Sequence, residues 1–215
     1  MKQRQLEPEL LDSLPHDDPG AIRSRADLRL INHVMGNYRW IEAEVIRRHA
    51  KSIIEIGAGC GTLAKRLRHR LPRIHYTGID LAPRPADLPS PYQWLQQDLL
   101  TSPYPPADMV IANLFLHHFD SQQLHVIGER LRASCRHLIV NEPARRSLHL
   151  YQGKLLNLLG IHPITRHDMA ISIRAGFLEQ ELVCDLGLKR PAWTIHQHCS
   201  WLGAYRLIAS KTPES

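Results

Sequence analysis

The chain has 215 residues, 43% of them hydrophobic, which is long enough for one well-buried core and short for two. Its 27 Lys and Arg against 21 Asp and Glu leave a net charge of +6, but the basic residues are dispersed, with local clusters only at Lys65 to Arg70 and Arg145-Arg146, so a nucleic-acid partner is not expected. No run approaches the roughly eighteen apolar residues of a membrane span, no signal-peptide region opens the chain, and Cys60, Cys135, Cys184 and Cys199 lack C-x-x-C spacing, so a cytoplasmic protein with free thiols is expected.

Residues 1–20 are polar and turn-rich (Pro8, Pro15, Asp17-Asp18-Pro19-Gly20) and read as a flexible arm preceding a single domain over 21–212. Leu28, Ile31 and Met35 recur at helical spacing, Gly36-Asn37 interrupts, and Trp40, Ile41 and Val45 begin a second stripe, predicting two helices before the first strand. Ile53, Ile54 and Ile56 then form an apolar strand that runs into Glu55-Ile-Gly57-Ala-Gly59-Cys-Gly61. Glycines at alternating positions let the backbone bend sharply and let a ligand approach main-chain N–H groups. The dinucleotide fingerprint G-x-G-x-x-G is not met, because the third position after Gly59 is Thr62.

Leu63, Leu67 and Leu71 predict a basic helix ending before Pro72, and His75 to Asp80 reads as the second strand. Asp80 falls about twenty residues after the glycine turn, where a carboxylate can accept hydrogen bonds from ribose hydroxyls. Prolines between 83 and 106 argue for connections poor in helix, with Gln96-Gln97-Asp98-Leu99 at the third strand end. The fourth strand covers Ala107 to Asn113, a helix follows Asp120-Ser121, and the fifth strand runs from His137 to Glu142. Leu148, Tyr151, Leu155, Leu156 and Leu159 then predict an inserted helix within about 144–163, a substrate lid or an extension of the core. Thr165-Arg-His-Asp168 has capping-box spacing, Gly176 is placed to end that helix, and the last two strands are predicted around Leu182 to Leu186 and Ala204 to Ala209.

The E-x-G-x-G-x-G turn, Asp80, Asp98 and the Asn113-Leu-Phe-Leu-His117-His118-Phe stretch resemble motifs of class I S-adenosylmethionine (SAM)-dependent methyltransferases, in the family's order. The resemblance implies an α/β, Rossmann-like, seven-stranded, mostly parallel sheet sandwiched by helices, its last strand antiparallel. It also implies SAM as cofactor, with the methionine end held near Arg39, Glu55, Gly57, Ala58, Gly59 and Gly61, the ribose by Asp80 beside Leu81, and the adenine near Asp98 and Leu99, with Asn113 at the fourth strand end. More narrowly, Asn32 to Trp40, Asn113 to Phe119 and the Glu142-Pro143 to Asp168 segment are similar to small bacterial methyltransferases of polyketide-type pathways. That likeness implies a hydrophobic phenolic, quinone or polyketide-derived small-molecule acceptor.

Methyl transfer from a sulfonium is an in-line displacement in which alignment supplies most of the rate. An oxygen nucleophile gains from a general base, and His117 and His118 after the fourth strand are the first candidates, ahead of His149 and His167. No metal site is expected, since His196, His198 and Cys199 are too crowded in sequence to converge on one ion. An RNA methyltransferase is the alternative enzyme reading, and a catalytically silent scaffold the non-enzyme one.

Overall fold

The structure, a computed structural model, describes residues 1, 3–15, 17–155 and 160–213. Strands β1 (Ser52–Ile56), β2 (His75–Asp80), β3 (Gln93–Gln96), β4 (Ala107–Asn113), β5 (Cys135–Pro143), β6 (Trp193–Cys199) and β7 (Ala204–Lys211) form one sheet in the order β3-β2-β1-β4-β5-β7-β6. The first five are mutually parallel, whereas β7 lies antiparallel between β5 and β6. Sheet growth reverses between β1 and β4, and in open sheets of this kind ligands bind outside the carboxyl ends of strands at such a switch point.

Strand periodicity sorts the core into two layers. Ile53, Met109, Ile111 and Ile139 face one side with Ile41 and Val45 of α3 (Asn37–Arg47) and Leu63 and Leu67 of α4 (Thr62–Arg70). Ile54, Ile56, Val110, Ala112, Leu138 and Val140 face the other, with Leu124, Ile127 and Leu131 of α5 (Ser121–Ser134) and Leu182 and Val183 of α8 (Glu181–Asp185). A further group, α1 (Leu10–Ser13), α2 (Pro19–Val34), α6 (Ser147–Leu155) and α7 (Pro163–Ala175), packs together, with α7 against β5 and the 3₁₀ turn Leu116–His118. The Leu156 and Leu159 positions of the expected insert lie outside the described residues.

Two local expectations are corrected. Leu182 to Leu186 is not the sixth strand but belongs to α8 and its cap, because Leu182 and Leu186, four apart, both reach the core on one helical face. The sixth strand is Trp193–Cys199, where buried and half-buried residues alternate with exposed Thr194, His196 and His198. Paired on one side only, this edge strand carries half its residues as polar ones and lacks a continuous apolar run. Thr165 does not cap α7 either. The helix starts at Pro163 after His162, and Thr165 bonds instead to Ser24 Oγ (3.0 Å) and Asp27 Oδ2 (3.1 Å), tying α7 to α2. The reciprocal capping box sits on α5, between Asp120 and Gln123.

The amino-terminal segment, expected as a flexible arm, lies along α7 in this structure. Arg4 donates to the carbonyls of Ala175 (2.8 Å), His117 (3.1 Å) and Phe119 (2.9 Å) and stacks 4.2 Å above the Phe177 ring. The backbone N–H groups of Leu10 and Leu11 donate to the Asp168 carboxylate at 2.9 and 3.0 Å.

Candidate active site

The turn after β1 is built by left-handed backbone. Gly57, Gly59 and Gly61 have φ of 65°, 53° and 64°, a region costly for any residue with a β-carbon. Space separates their roles. A Cβ on Gly57 would lie 2.1 Å from the Phe115 ring, whereas one on Gly59 would meet no protein atom within 4 Å, so Gly59 borders open space. Glu55 and Ala58 join Gly57 and Gly59 in lining that space, and Gly61, the α4 cap, lies just outside it.

Glu55 is 5% exposed and accepts the Tyr76 hydroxyl. Burial pushes its carboxyl up to about 8; the Tyr76 hydrogen bond opposes this shift and the Asp80 charge adds to it. Asp80 caps the turn, with Oδ2 accepting from Gly59 N at 2.7 Å and Oδ1 from Ala82 N at 2.8 Å. Each carboxylate oxygen retains a lone pair, so both can still accept ribose hydroxyls.

The remaining cofactor candidates are placed less uniformly. Asn113 borders the cavity and accepts from Asn141 Nδ2 at 2.9 Å. Next to it, Leu114 adopts a positive φ of 54°, and its N–H donates to Asn141 O at 2.8 Å. Asp98 closes a turn after β3 by accepting from Leu100 N at 2.8 Å, and Leu99 is buried in the core, its carbonyl accepting from Tyr104. Leu81 is 71% exposed beyond β2, and Arg39 is exposed on the first turn of α3, with neither lining the cavity. Tyr38 does line it, with burial pushing its hydroxyl up to about 12.

His117 is buried at 3% exposure, between two carboxylates. Its Nδ1 is 2.7 Å from Glu142 Oε2 and its Nε2 is 3.4 Å from Glu9 Oε1. Glu142, fully buried at the end of β5, also accepts the N–H groups of Phe115 (2.9 Å) and Leu116 (2.8 Å), fixing the turn that carries the histidine. Burial opposes charge on the imidazole, but Glu142 and Glu9 outweigh it and hold His117 up at about 9. Glu9 moves down for the reciprocal reason: its contact with His117 overcomes its own burial. His118 is exposed, stacks on His117 with ring centroids 4.2 Å apart, and is lowered by burial and by the His117 charge. Only His117 of the pair lines the cavity, together with His149.

That cavity, about 600 Å³, runs from the glycine turn to an apolar wall of Leu28 and Ile31 on α2 and Met35 at its cap, and is also lined by Met169 and Ile173 of α7 and by Leu202. Sequence reasoning did not single out Glu9, Glu142, Asp168 or Ser172 as site residues. Glu142 alone offered a local signal, standing at a strand end one residue past the Asn113–Asn141 pair of the β4–β5 register.

The comparisons agree with this geometry. Residues 54–137 match the family model described as a methyltransferase domain. Uncharacterised methyltransferases of Mycobacterium tuberculosis and Mycobacterium bovis are 37% identical over 75 residues, which is 32% of this chain and 38% of theirs. Two solved structures show the same fold at low identity. A plantazolicin methyltransferase bound to SAH and a pentazolic desmethyl analogue has a TM-score of 0.71 at 12% identity, over 91% of this chain and 92% of that one. Human N-acetylserotonin methyltransferase with SAM has 0.59 at 17%, over 94% of this chain and 61% of that one. Residues 54–137, under half of the chain, are thus similar to a methyltransferase domain, and the β3-β2-β1-β4-β5-β7-β6 sheet belongs to a fold shared with solved methyltransferases over nine-tenths of the chain.

Proposed function

We propose that the protein binds SAM at the glycine turn and transfers its methyl group to a small, mostly apolar acceptor, with an oxygen nucleophile favoured. The observation that carries this reading is the continuity of one cavity from Glu55, Gly57 and Gly59, past Asn113 and His117, to the apolar face of α2. Cavities of several hundred Å³, apolar but for a few convergent polar groups, suit small ligands.

In the proposed reaction the acceptor oxygen attacks the methyl carbon, the carbon–sulfur bond breaks with its electron pair passing to sulfur, and a neutral thioether leaves. Alignment supplies most of the acceleration. Asp80 accepts the ribose hydroxyls, and Glu55 and Gly57 to Gly59 border the amino-acid end. His117, oriented by Glu142 and lining the cavity, is charged at pH 7 when held up at about 9, so it is the first candidate to orient the acceptor oxygen as a donor; His118, beside it and lowered, is the candidate to take the proton. The test is SAM calorimetry followed by labelled methyl transfer to a panel of phenols and carboxylic acids against transfer RNA. Transfer to a phenol or acid is expected; labelling of RNA alone would replace this reading with the RNA one, and no transfer or SAM binding would favour a silent scaffold.

A further inference from the structure

Among the described residues one group of side chains has metal-ligand chemistry and convergent geometry. Glu9, His117 and His118 each present one ligand atom within 4.8 Å of the other two. Two imidazoles and one carboxylate form a donor set that suits zinc and neighbouring transition ions and leaves a coordination position open.

Each of the three has an outer partner. Glu142 Oε2, 2.7 Å from His117 Nδ1, turns Nε2 toward Glu9, which is the carboxylate–histidine–metal arrangement that fixes a ligand's tautomer. Ser172 Oγ donates to Glu9 Oε1, and Asp12 Oδ2 stands 4.0 Å from His118 Nδ1. Asp168, which receives the Leu10 and Leu11 N–H groups, adds a further carboxylate next to Glu9, and Arg4 at the His117 carbonyl is the basic side chain among these contacts. Burial grades from His117 (buried) through Glu9 to His118 (exposed), so an ion has a path from solvent. The separations run from 3.4 Å between His117 Nε2 and Glu9 Oε1, matching the ~3.4 Å edge of a tetrahedron with ~2.1 Å metal–ligand bonds, to at most 4.8 Å.

We propose that Glu9, His117 and His118 bind one divalent transition ion of the zinc class at the cavity wall, with Glu142 as the positioning residue for His117. Because Glu9 and His117 line the cavity, the open position faces the space assigned to the acceptor. This second step rests on the methyl-transfer reading, whereas ion binding itself does not. An acceptor hydroxyl bound to such an ion loses its proton more readily, which supplies an oxygen anion without a histidine base. The ion also joins the amino-terminal segment to the body of the domain.

The test uses the untagged full chain, stripped with a chelator and titrated with Co²⁺ by visible absorption and with Zn²⁺ by calorimetry. SAM affinity is measured on the same sample. One ion per chain is expected, with the absorption of a nitrogen- and oxygen-ligated Co²⁺. Glu9→Ala and His118→Ala, which change half-buried and exposed positions, are each expected to weaken Zn²⁺ binding at least tenfold, and Glu142→Gln by about 10- to 100-fold. No stoichiometric uptake by the unmodified chain overturns the site, as does unchanged affinity in both Glu9→Ala and His118→Ala. SAM binding without ion uptake sinks the metal site and leaves methyl transfer standing; ion uptake without SAM binding does the reverse.

Discussion

At the scale of single residues, charge placement decides what each group can do. Glu55 is held up at about 8 in the structure, so it is largely protonated at pH 7. SAM brings a sulfonium and an ammonium, and a nearby cation favours the carboxylate. Binding near pH 7 is therefore expected to release a proton, measured as a dependence of the calorimetric heat on buffer ionisation enthalpy. The dependence should vanish in Glu55→Gln; a heat independent of buffer in the unmodified chain would place Glu55 away from the cofactor's charges. His117 gives a second pH signal. Its value in the fold, about 9, lies above the ordinary 6.5, so its contribution to stability is fully present below about pH 6.5 and lost as pH rises through 9. The difference in stability between the unmodified chain and His117→Gln should be largest near pH 6 and shrink toward pH 9.5, as read from denaturant midpoints. A difference flat across that range would mean that the imidazole is not the charged partner of Glu142 and Glu9. The acids and glycines of the first motif and Asp80 were legible because their meaning is local: a turn and a strand end. The partners of His117 were not. Glu9 comes from the arm and Glu142 from another strand, and no periodicity links positions so far apart.

Elements were legible to the degree that their pattern was one-sided. The stripe Leu28, Ile31 and Met35 predicts a helix, and in the structure it lies on α2 and its cap and lines the cavity. The edge strand Trp193–Cys199 escaped because its histidines and Thr194 dilute the alternation, and α8 was mistaken for it because a short apolar run fits either period. The glycine turn allows a sharper test. Gly57→Ala drives a β-carbon into the Phe115 ring and should cost at least about 2 kcal/mol of stability, combining overpacking with a left-handed φ. Gly59→Ala has room within the protein and should cost about 1 kcal/mol through φ alone, yet lose SAM affinity because its methyl enters the cofactor's space. Denaturation midpoints and calorimetry read the two effects separately, and equal SAM affinity in Gly59→Ala would move the cofactor away from this turn. On the acceptor side, hydrogen exchange in α2 and α6 should slow when cofactor and acceptor are both present. Unchanged exchange in α6 would make it part of the core rather than a cover.

For the whole molecule, strand order is what turns scattered motifs into a site. The parallel run β3-β2-β1-β4-β5 brings the ends of β1, β2 and β4 side by side, and the helices α1, α2, α6 and α7 close the space beyond them. A seven-stranded, mostly parallel sheet with an antiparallel last strand was expected from a resemblance carried by local motifs, whereas the strand order is not derivable from any single segment. The apolar side of the cavity is lined instead by residues of α2 and α7, outside the local motifs, so acceptor identity is the property least legible in the chain. No helix among the described residues is long and apolar enough to cross a membrane. The account is tested most directly by titrating SAM into the purified protein and repeating the titration with Asp80→Ala. One SAM per chain is predicted, displaced by its demethylated product, with affinity weakened by about 1.5 to 3 kcal/mol in the variant as two hydrogen bonds to the ribose are lost. A folded protein that binds neither SAM nor its product, or an Asp80→Ala variant that binds SAM as tightly as the unmodified chain, would contradict it.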